Sequence, residues 1–274
     1  MYLDPISTQY QNYQDINHNL EKIGFKFGDK GTHTSRTIML NEISLLLQSY
    51  PKKSMRSDYI RAVIEDNYLG KHTLSTRRLS LQRLTELYAL DPDVPIFRLM
   101  RFFWDADEKA HPLLALLVCL ARDPLLRATA PVVISMSAGE EIARQKLTDS
   151  LREAASGRLN DEILDKVVRN TASSWTQSGH LIGRSRKKRS KVQPTVISAI
   201  FALALGYMLG VRGRVLFDTL FTRVLDMSED GLVSLAMEAK RIGYLDLKIV
   251  GGMTEIQFNA IFSDKEKRLI HGTN

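Results

Sequence analysis

Apolar residues recur at helical spacing along most of the chain. Leu40, Ile43 and Leu46 fall on one side of such a pattern, which predicts an amphipathic helix that ends at Pro51. The same spacing predicts helices over residues 57–68, 76–90, 96–106, 113–121, 125–130, 139–156, 160–174, 195–211, 215–225 and 232–242. The chain is therefore expected to be mainly α-helical.

Two segments depart from the helical pattern. Leu245 and Leu247 alternate with polar residues, and Gly251-Gly252 supplies a two-residue turn, so residues 244–262 are predicted to form a β-hairpin. A helix, a glycine and a hairpin in this order also end a winged helix. The β-branched run at 132–134 indicates a short extended piece.

The patterning divides the chain into three parts. Residues 1–36 are rich in Asn, Gln and Gly and are expected to be loosely ordered. Residues 37–130 are expected to form a helical N-terminal domain. Residues 131–274 are expected to form a helical C-terminal domain with winged-helix-like features, since a proline-bearing connection at Pro131 suits a domain boundary.

Charge narrows the possible partners. The 274 residues carry a formal net charge of +7, with a pI near 9.4. This balance favours a polyanionic partner, nucleic acid before an anionic membrane surface, although a merely basic protein would show the same total. The single cysteine, Cys119, allows no disulfide within the chain and fits the reducing cytoplasm. No secretory signal is recognised at the N-terminus.

The clustering of charge is more informative than its total. Six of the eight residues from 184 to 191 are cationic: Arg184, Arg186, Lys187, Lys188, Arg189 and Lys191. So many like charges repel one another and favour a solvated loop or wing that meets phosphates. If each neutralised one phosphate, log affinity would fall against log salt with a slope of about −5. A flexible surface loop without a partner is the alternative.

Other polar residues are candidates to contact nucleic acid. Trp175, Gln177, Ser178 and His180 precede the basic run and could position or probe a groove, although a lone Trp more often belongs to a core. A second contact is predicted on the helix over 76–90. Its candidate residues are Arg77, Arg78 and Arg83. The two helices over 57–68 and 76–90 have the layout of a helix-turn-helix, which two packed helices with a solvated Arg face explain equally well.

No catalytic or metal-binding pattern is recognised. The six histidines do not pair at metal-ligand spacing, and nucleophile-elbow, dinucleotide-binding and phosphate-loop motifs are missing. We therefore expect neither enzymatic activity, nor a cofactor, nor a metal. Residues 195–211 contain no charge and raise the alternative of a membrane anchor, but their small residues and short length favour a buried helix.

Three segments together resemble the BrxA family of the BREX bacteriophage-exclusion systems. They are Thr37 to Ile43 running into Leu45–Leu47, Asp66 to Leu69 followed by Ser75–Arg78 and Arg83-Leu84, and the leucine-rich helices after them. The resemblance implies a mostly helical fold, with an N-terminal bundle similar to the transcription antiterminator NusB. It also implies a non-enzymatic, double-stranded-DNA-binding accessory protein, working with other proteins of a phage-defence system. An RNA-binding or protein-scaffolding subunit without a DNA role is the alternative.

Overall fold

The computed structural model describes residues 14–271, with side chains from His18 onward, and is mainly helical, as predicted. The α-helices are α1 Gln14–Ile23, α2 Leu40–Ser49, α3 Arg56–Ile64, α4 Leu74–Tyr88, α5 Pro95–Trp104, α6 His111–Arg122, α7 Pro124–Ala128, α8 Ala130–Ile134, α9 Arg144–Ala154, α10 Asp161–Gln177, α11 Val196–Met208, α12 Leu220–Arg223, α13 Glu229–Arg241 and α14 Asp264–His271. Short 3-10 turns lie at Thr32–Thr34, Glu108–Ala110 and Gly213–Asp218.

Two antiparallel hairpins occur within residues 14–271, and only one hairpin was predicted. Strands β1 Leu181–Ile182 and β2 Lys188–Arg189 form the first, at the run predicted to be a basic loop or wing. Strands β3 Asp246–Val250 and β4 Met253–Gln257 form the second, in the predicted place and with Gly251-Gly252 at its turn. The strands of the first hairpin are only two residues long, too short to show the alternation of apolar and polar residues that identifies a strand.

The chain folds into two compact units. The central unit is Lys26–Lys191, and the terminal unit joins residues 14–25 with residues 192–271. The division therefore differs from the boundary expected near Pro131. Leu125, before that proline, lies in one buried cluster with Leu147, Leu151 and Leu164 after it, so the chain on both sides shares a core.

Helix α6 lies at the centre of the central unit. All residues from Leu113 to Arg122 are buried, and the helix packs against α4 and α5. Such an apolar circumference is typical of a helix surrounded by others. Helix α8 replaces the extended piece expected at 132–134, because Pro131 occupies the first turn of a helix, where its missing N–H is not needed.

In the terminal unit, α11 is the most apolar helix and is buried along most of its length. No helix within residues 14–271 is long and apolar enough to cross a membrane. Helix α11 itself has thirteen residues. The single helix expected over 215–225 is divided into a 3-10 turn and α12, because the Thr219 hydroxyl caps a new start by accepting the Thr222 N–H.

The loosely ordered N-terminal segment expected over 1–36 is corrected where the structure describes it. Residues 14–23 form α1, which packs against α14 and buries Leu20 and Ile23. Ile16, Leu20 and Ile23 have the spacing of one helix face, but the polar composition of residues 1–36 as a whole was interpreted as loose structure. The segment near His33 is ordered as well, and residues 1–13 lie outside the described part.

A buried carboxylate, that of Asp123, ties the segment around His33 to the central unit. Its Oδ2 accepts hydrogen bonds from the backbone N–H of Thr32 at 2.6 Å and of His33 at 3.1 Å, and contacts the His33 Nδ1 at 2.8 Å. Its Oδ1 accepts the N–H groups of Leu125 and Leu126 at 3.0 and 3.1 Å and thereby caps α7. Burial raises the pKa of Asp123, but the facing imidazole and the N–H donors outweigh it and hold the pKa below its usual value.

The imidazole carries this connection onward to α10. His33 Nε2 lies 2.8 Å from the Ser174 Oγ. That hydroxyl also accepts the N–H of Ile38 at 2.9 Å and donates to the Asn170 carbonyl at 2.9 Å. The chain of contacts from Asp123 to Ser174 therefore joins the 3-10 turn at 32–34, the α6–α7 junction and α10 through buried polar groups.

We predict that Asp123→Asn lowers the free energy of unfolding by about 3–5 kcal/mol, the range for removing one partner of a buried charged network. The amide cannot accept all the N–H donors that surround the carboxylate. Urea denaturation of the full chain measures the change. Asp165→Asn is the matched control, since Asp165 is half exposed and forms surface ion pairs, and it is expected to change stability little. Equal effects of both substitutions would contradict the role given to Asp123.

The lowered pKa of Asp123 also predicts a direction of pH dependence. Because the pKa is lower in the folded chain than in the unfolded one, the carboxylate contributes its full stability above about pH 4 and loses it as the pH falls through the folded value. The difference in stability between wild type and Asp123→Asn should therefore shrink on acidification. Urea titrations from neutral to acidic pH measure it, and a difference that grows would contradict the assignment.

Candidate nucleic-acid interface

The basic run is built as a wing that follows helix α10. Strand β1 pairs with β2 in the register Leu181↔Arg189 and Ile182↔Lys188. Residues 139–142 form an extended segment that pairs with the other edge of β2. There the Arg189 N–H donates to the Glu140 carbonyl at 2.8 Å. This region follows the element order of a winged helix: α7–α8, residues 139–142, α9, α10 and the β1–β2 hairpin. The wing expected at the basic run is thus present, in the central unit.

The tip of the wing depends on Gly183. Its φ of +102° lies in a region that side chains disfavour, and an added Cβ would collide with the backbone carbonyl oxygen of Arg186. Lys187 Nζ donates to the Gly183 carbonyl at 3.3 Å and to the Thr176 hydroxyl at 2.7 Å, which fastens the wing to the end of α10. Burial lowers the pKa of Lys187. The tip is therefore narrow, and Lys187 is used to hold it.

Four cations of the run face solvent. Arg184 and Arg186 lie at the tip, Lys188 lies on β2, and Lys191 follows it, all exposed. Among residues 18–271, whose side chains are described, Arg184, Arg186 and Lys188 have no hydrogen-bonding or ion-pair partner for their side chains. Since their charges are not neutralised, these three are the strongest candidates for phosphate contacts.

Arg189 does not belong to this exposed set. Its side chain is 1% exposed and donates to the carbonyl oxygens of Val133 at 2.9 Å and His180 at 3.3 Å, and also to that of Ser190. A buried guanidinium satisfies several carbonyls at once, which is how it joins α8 to the hairpin. Its predicted phosphate contact is wrong for this geometry.

The residues before the wing also face inward. Trp175 is fully buried and its Nε1–H donates to the Thr129 hydroxyl at 2.8 Å, while His180 is buried with Nδ1 2.9 Å from the Ser178 hydroxyl. The half-buried Gln177 accepts the N–H of Leu40 at 3.1 Å through its Oε1. Trp175, Ser178 and His180 are too buried to reach a groove and are corrected to structural positions, while the half-buried Gln177 is engaged with the start of α2. Together they fix where α10 ends and the wing begins.

The exposed start of α10 is acidic. Asp161, Glu162 and Asp165 lie in its first turns, where they suit the positive end of the helix dipole. Asp165 pairs with Arg169 at 3.3 Å and also with Arg144, which neutralises nearby cations. The first turns of a recognition helix normally meet the groove, so carboxylates there disfavour phosphate approach. The densest group of exposed cations in this region lies on the wing.

The second predicted contact is reduced to one residue. Arg77 donates to the Ile64 carbonyl at 3.0 Å and so closes the turn between α3 and α4. Arg83 forms two hydrogen bonds with the Glu86 carboxylate, at 3.0 and 2.8 Å. Only Arg78 is exposed. The α3–α4 pair therefore offers one exposed arginine of the predicted three, in place of a basic face.

The Asp123–His33–Ser174 contacts follow the order of a catalytic triad and were not predicted from the sequence. All three side chains are at most 1% exposed, and the Ser174 hydroxyl is engaged by the backbone of its own helix at Asn170 and by that of another segment at Ile38. A nucleophile needs a site beside it for the substrate, which this burial does not leave. Asp123 before Pro124 was a recognisable helix start; nothing near His33 marked its role.

The second hairpin has a different surface. Its strands contain one cation, Lys248, and two carboxylates, Asp246 and Glu255. Its tip is apolar, with Val250 72% and Met253 78% exposed. Phosphate contacts are thus favoured at the β1–β2 wing and not here. Within residues 14–271, no group of three or more His, Cys, Asp or Glu residues is arranged to hold a metal ion.

Comparison with known proteins adds no assignment to this geometry. No protein-family model matches the chain, and no curated protein is significantly similar to it. Function is therefore inferred from the charges and contacts of the wing.

Two arginines of the same run allow the structural and exposed cations to be separated. We predict that Arg189→Gln lowers the free energy of unfolding by about 2–3 kcal/mol, because buried carbonyls lose a charged donor. Arg184→Gln removes the same formal charge from an exposed side chain and should change stability by less than about 0.5 kcal/mol. Urea denaturation of both variants measures the difference. If they were equally stable, Arg189 would not anchor the wing.

Proposed function

We propose that the chain binds double-stranded DNA without catalysing a reaction, through phosphate contacts of the β1–β2 wing. The observation that carries the proposal is the cluster of Arg184, Arg186 and Lys188, exposed and without ion pairs in the described chain, on an ordered hairpin. An ordered hairpin holds these cations in place before binding, so less conformational entropy is lost than in a flexible loop.

The geometry lowers the number of phosphates expected from the sequence. Of six cations in the run, Arg189 is buried and Lys187 is held by Thr176, which leaves four that face solvent. Four phosphate contacts correspond to a salt slope of about −3.6, against about −5 for six. Affinity that falls steeply with salt and depends little on base sequence is the expected behaviour.

The wider role proposed here is in bacterial phage defence, together with other proteins of the same system, in the cytoplasm. Its support is the resemblance of residues 37–84, and of the leucine-rich helices after them, to the BrxA family. A buried Cys119 thiol, whose pKa burial raises, is compatible with a reducing compartment and is unsuited to act as a nucleophile.

We predict that Arg184→Gln, Arg186→Gln and Lys188→Gln together weaken DNA binding and make the salt slope shallower by about 2.7, since three phosphate contacts are lost. Fluorescence anisotropy with a labelled duplex across a salt series measures both quantities. Duplex RNA of the same sequence is the parallel probe, and a preference for it would favour the RNA-binding alternative.

The matched control removes three other exposed cations of the central unit. Lys52→Gln, Lys53→Gln and Arg56→Gln change the net charge equally but lie on the turn before α3 and in its first residue. This variant should keep nearly the wild-type slope. If both triple variants lost binding equally, net charge rather than the wing would be responsible, and binding unchanged in the wing variant would overturn the proposed interface.

A further inference from the structure

We infer that the wing places Arg184 and Arg186 in the DNA minor groove and thereby favours A·T-rich sequence. This inference rests on the proposed function. It assigns to two side chains of the wing a preference among DNA sequences that a phosphate contact alone would not have.

The shape of the tip leads to this inference. The tip turns between Gly183 and Arg186, whose backbones lie in contact, and Lys187 is held back by Thr176. Arg184 and Arg186 are therefore the cations that extend furthest from the paired strands, separated by the small Ser185. Two guanidinium groups at alternate positions of a narrow tip can reach into a groove that the backbone itself does not enter.

The dimensions favour the minor groove over the major one. Two paired strands are about 4.8 Å apart, and their side chains make a ribbon wider than the minor groove of about 6 Å, so only single side chains can enter it. The major groove, about 12 Å wide, admits a ribbon that lies along it. This ribbon has only residues 183–187 beyond its strands, and residues 139–142 cover the other edge of β2. It is too short to lie along the major groove.

The charges on α10 point the same way. Carboxylates at Asp161, Glu162 and Asp165 disfavour the insertion of the start of this helix between phosphates, the usual way of reading the major groove. The wing must then bind on its own. Narrow A·T-rich minor grooves have an enhanced negative potential that attracts arginine, and the guanidinium enters more readily than an ammonium because it is more weakly hydrated.

Three duplexes of equal length test the inference with the full chain. Their central base pairs are A·T, G·C or inosine·C. Inosine keeps the major-groove edge of guanine but lacks the amino group that guanine places in the minor groove. The A·T and inosine·C duplexes should bind alike, and about tenfold tighter than the G·C duplex, in fluorescence anisotropy at one salt concentration.

The double variant Arg184→Lys with Arg186→Lys keeps the charge and removes the two guanidinium groups. It should keep the salt slope on the G·C duplex. The ratio of its affinities for the A·T and G·C duplexes should fall close to one, because the ammonium group is strongly hydrated. Lys188→Arg is the matched control outside the tip and should keep the wild-type preference. An unchanged preference in the double variant would overturn the inference.

The other outcomes separate the inference from the proposed function. Equal binding of wild type to all three duplexes would leave DNA binding in place and overturn the minor-groove assignment. Inosine·C that binds like G·C, with A·T weaker, would assign the arginines to guanine in the major groove and also overturn it. No binding to any duplex would overturn the proposed function and the inference together.

Discussion

The buried carboxylate of Asp123 is the interaction on which the central unit depends most. It caps α7, fixes the backbone at Thr32 and His33, and through the imidazole positions Ser174 on α10. A charged group without water is stable only when its hydrogen-bonding capacity is nearly filled, and four backbone N–H groups and one ring nitrogen fill it here. Because α10 leads directly into the wing, the placement of the exposed cations follows from a contact far from them in sequence.

A second buried charge continues this connection. The Arg189 guanidinium satisfies carbonyl oxygens of α8 and of the wing itself. Lys187, which directly precedes the strand that contains Arg189, also holds the hairpin through its hydrogen bond to Thr176, and it is only partly buried. The wing is thus ordered by two of its own cations, and these are the two that the sequence could not distinguish from their neighbours. A cation can either hold a backbone or meet a phosphate, and one side chain rarely does both.

Local pattern was enough to predict most helices and the second hairpin. The Asn160 cap of α10 and the Gly251-Gly252 turn are short-range signals that the structure confirms. The basic run was recognised as a possible wing for the same reason. The rest depends on distant partners. The inward direction of Trp175 is set by the Thr129 hydroxyl, and α1 by its packing against α14, neither of which lies within a window of neighbouring residues.

The candidate site shows why charge counts alone overestimate an interface. Of the six cations in the basic run, four face solvent, because Lys187 and Arg189 hold the hairpin that carries the others. Three predicted arginines on α4 became one, since a turn and a carboxylate engage the other two. What remains is smaller, but its members are held at fixed positions on a short hairpin. Fixed positions are what convert attraction to any polyanion into discrimination between grooves of different width, because only a side chain held at the entrance can respond to the width.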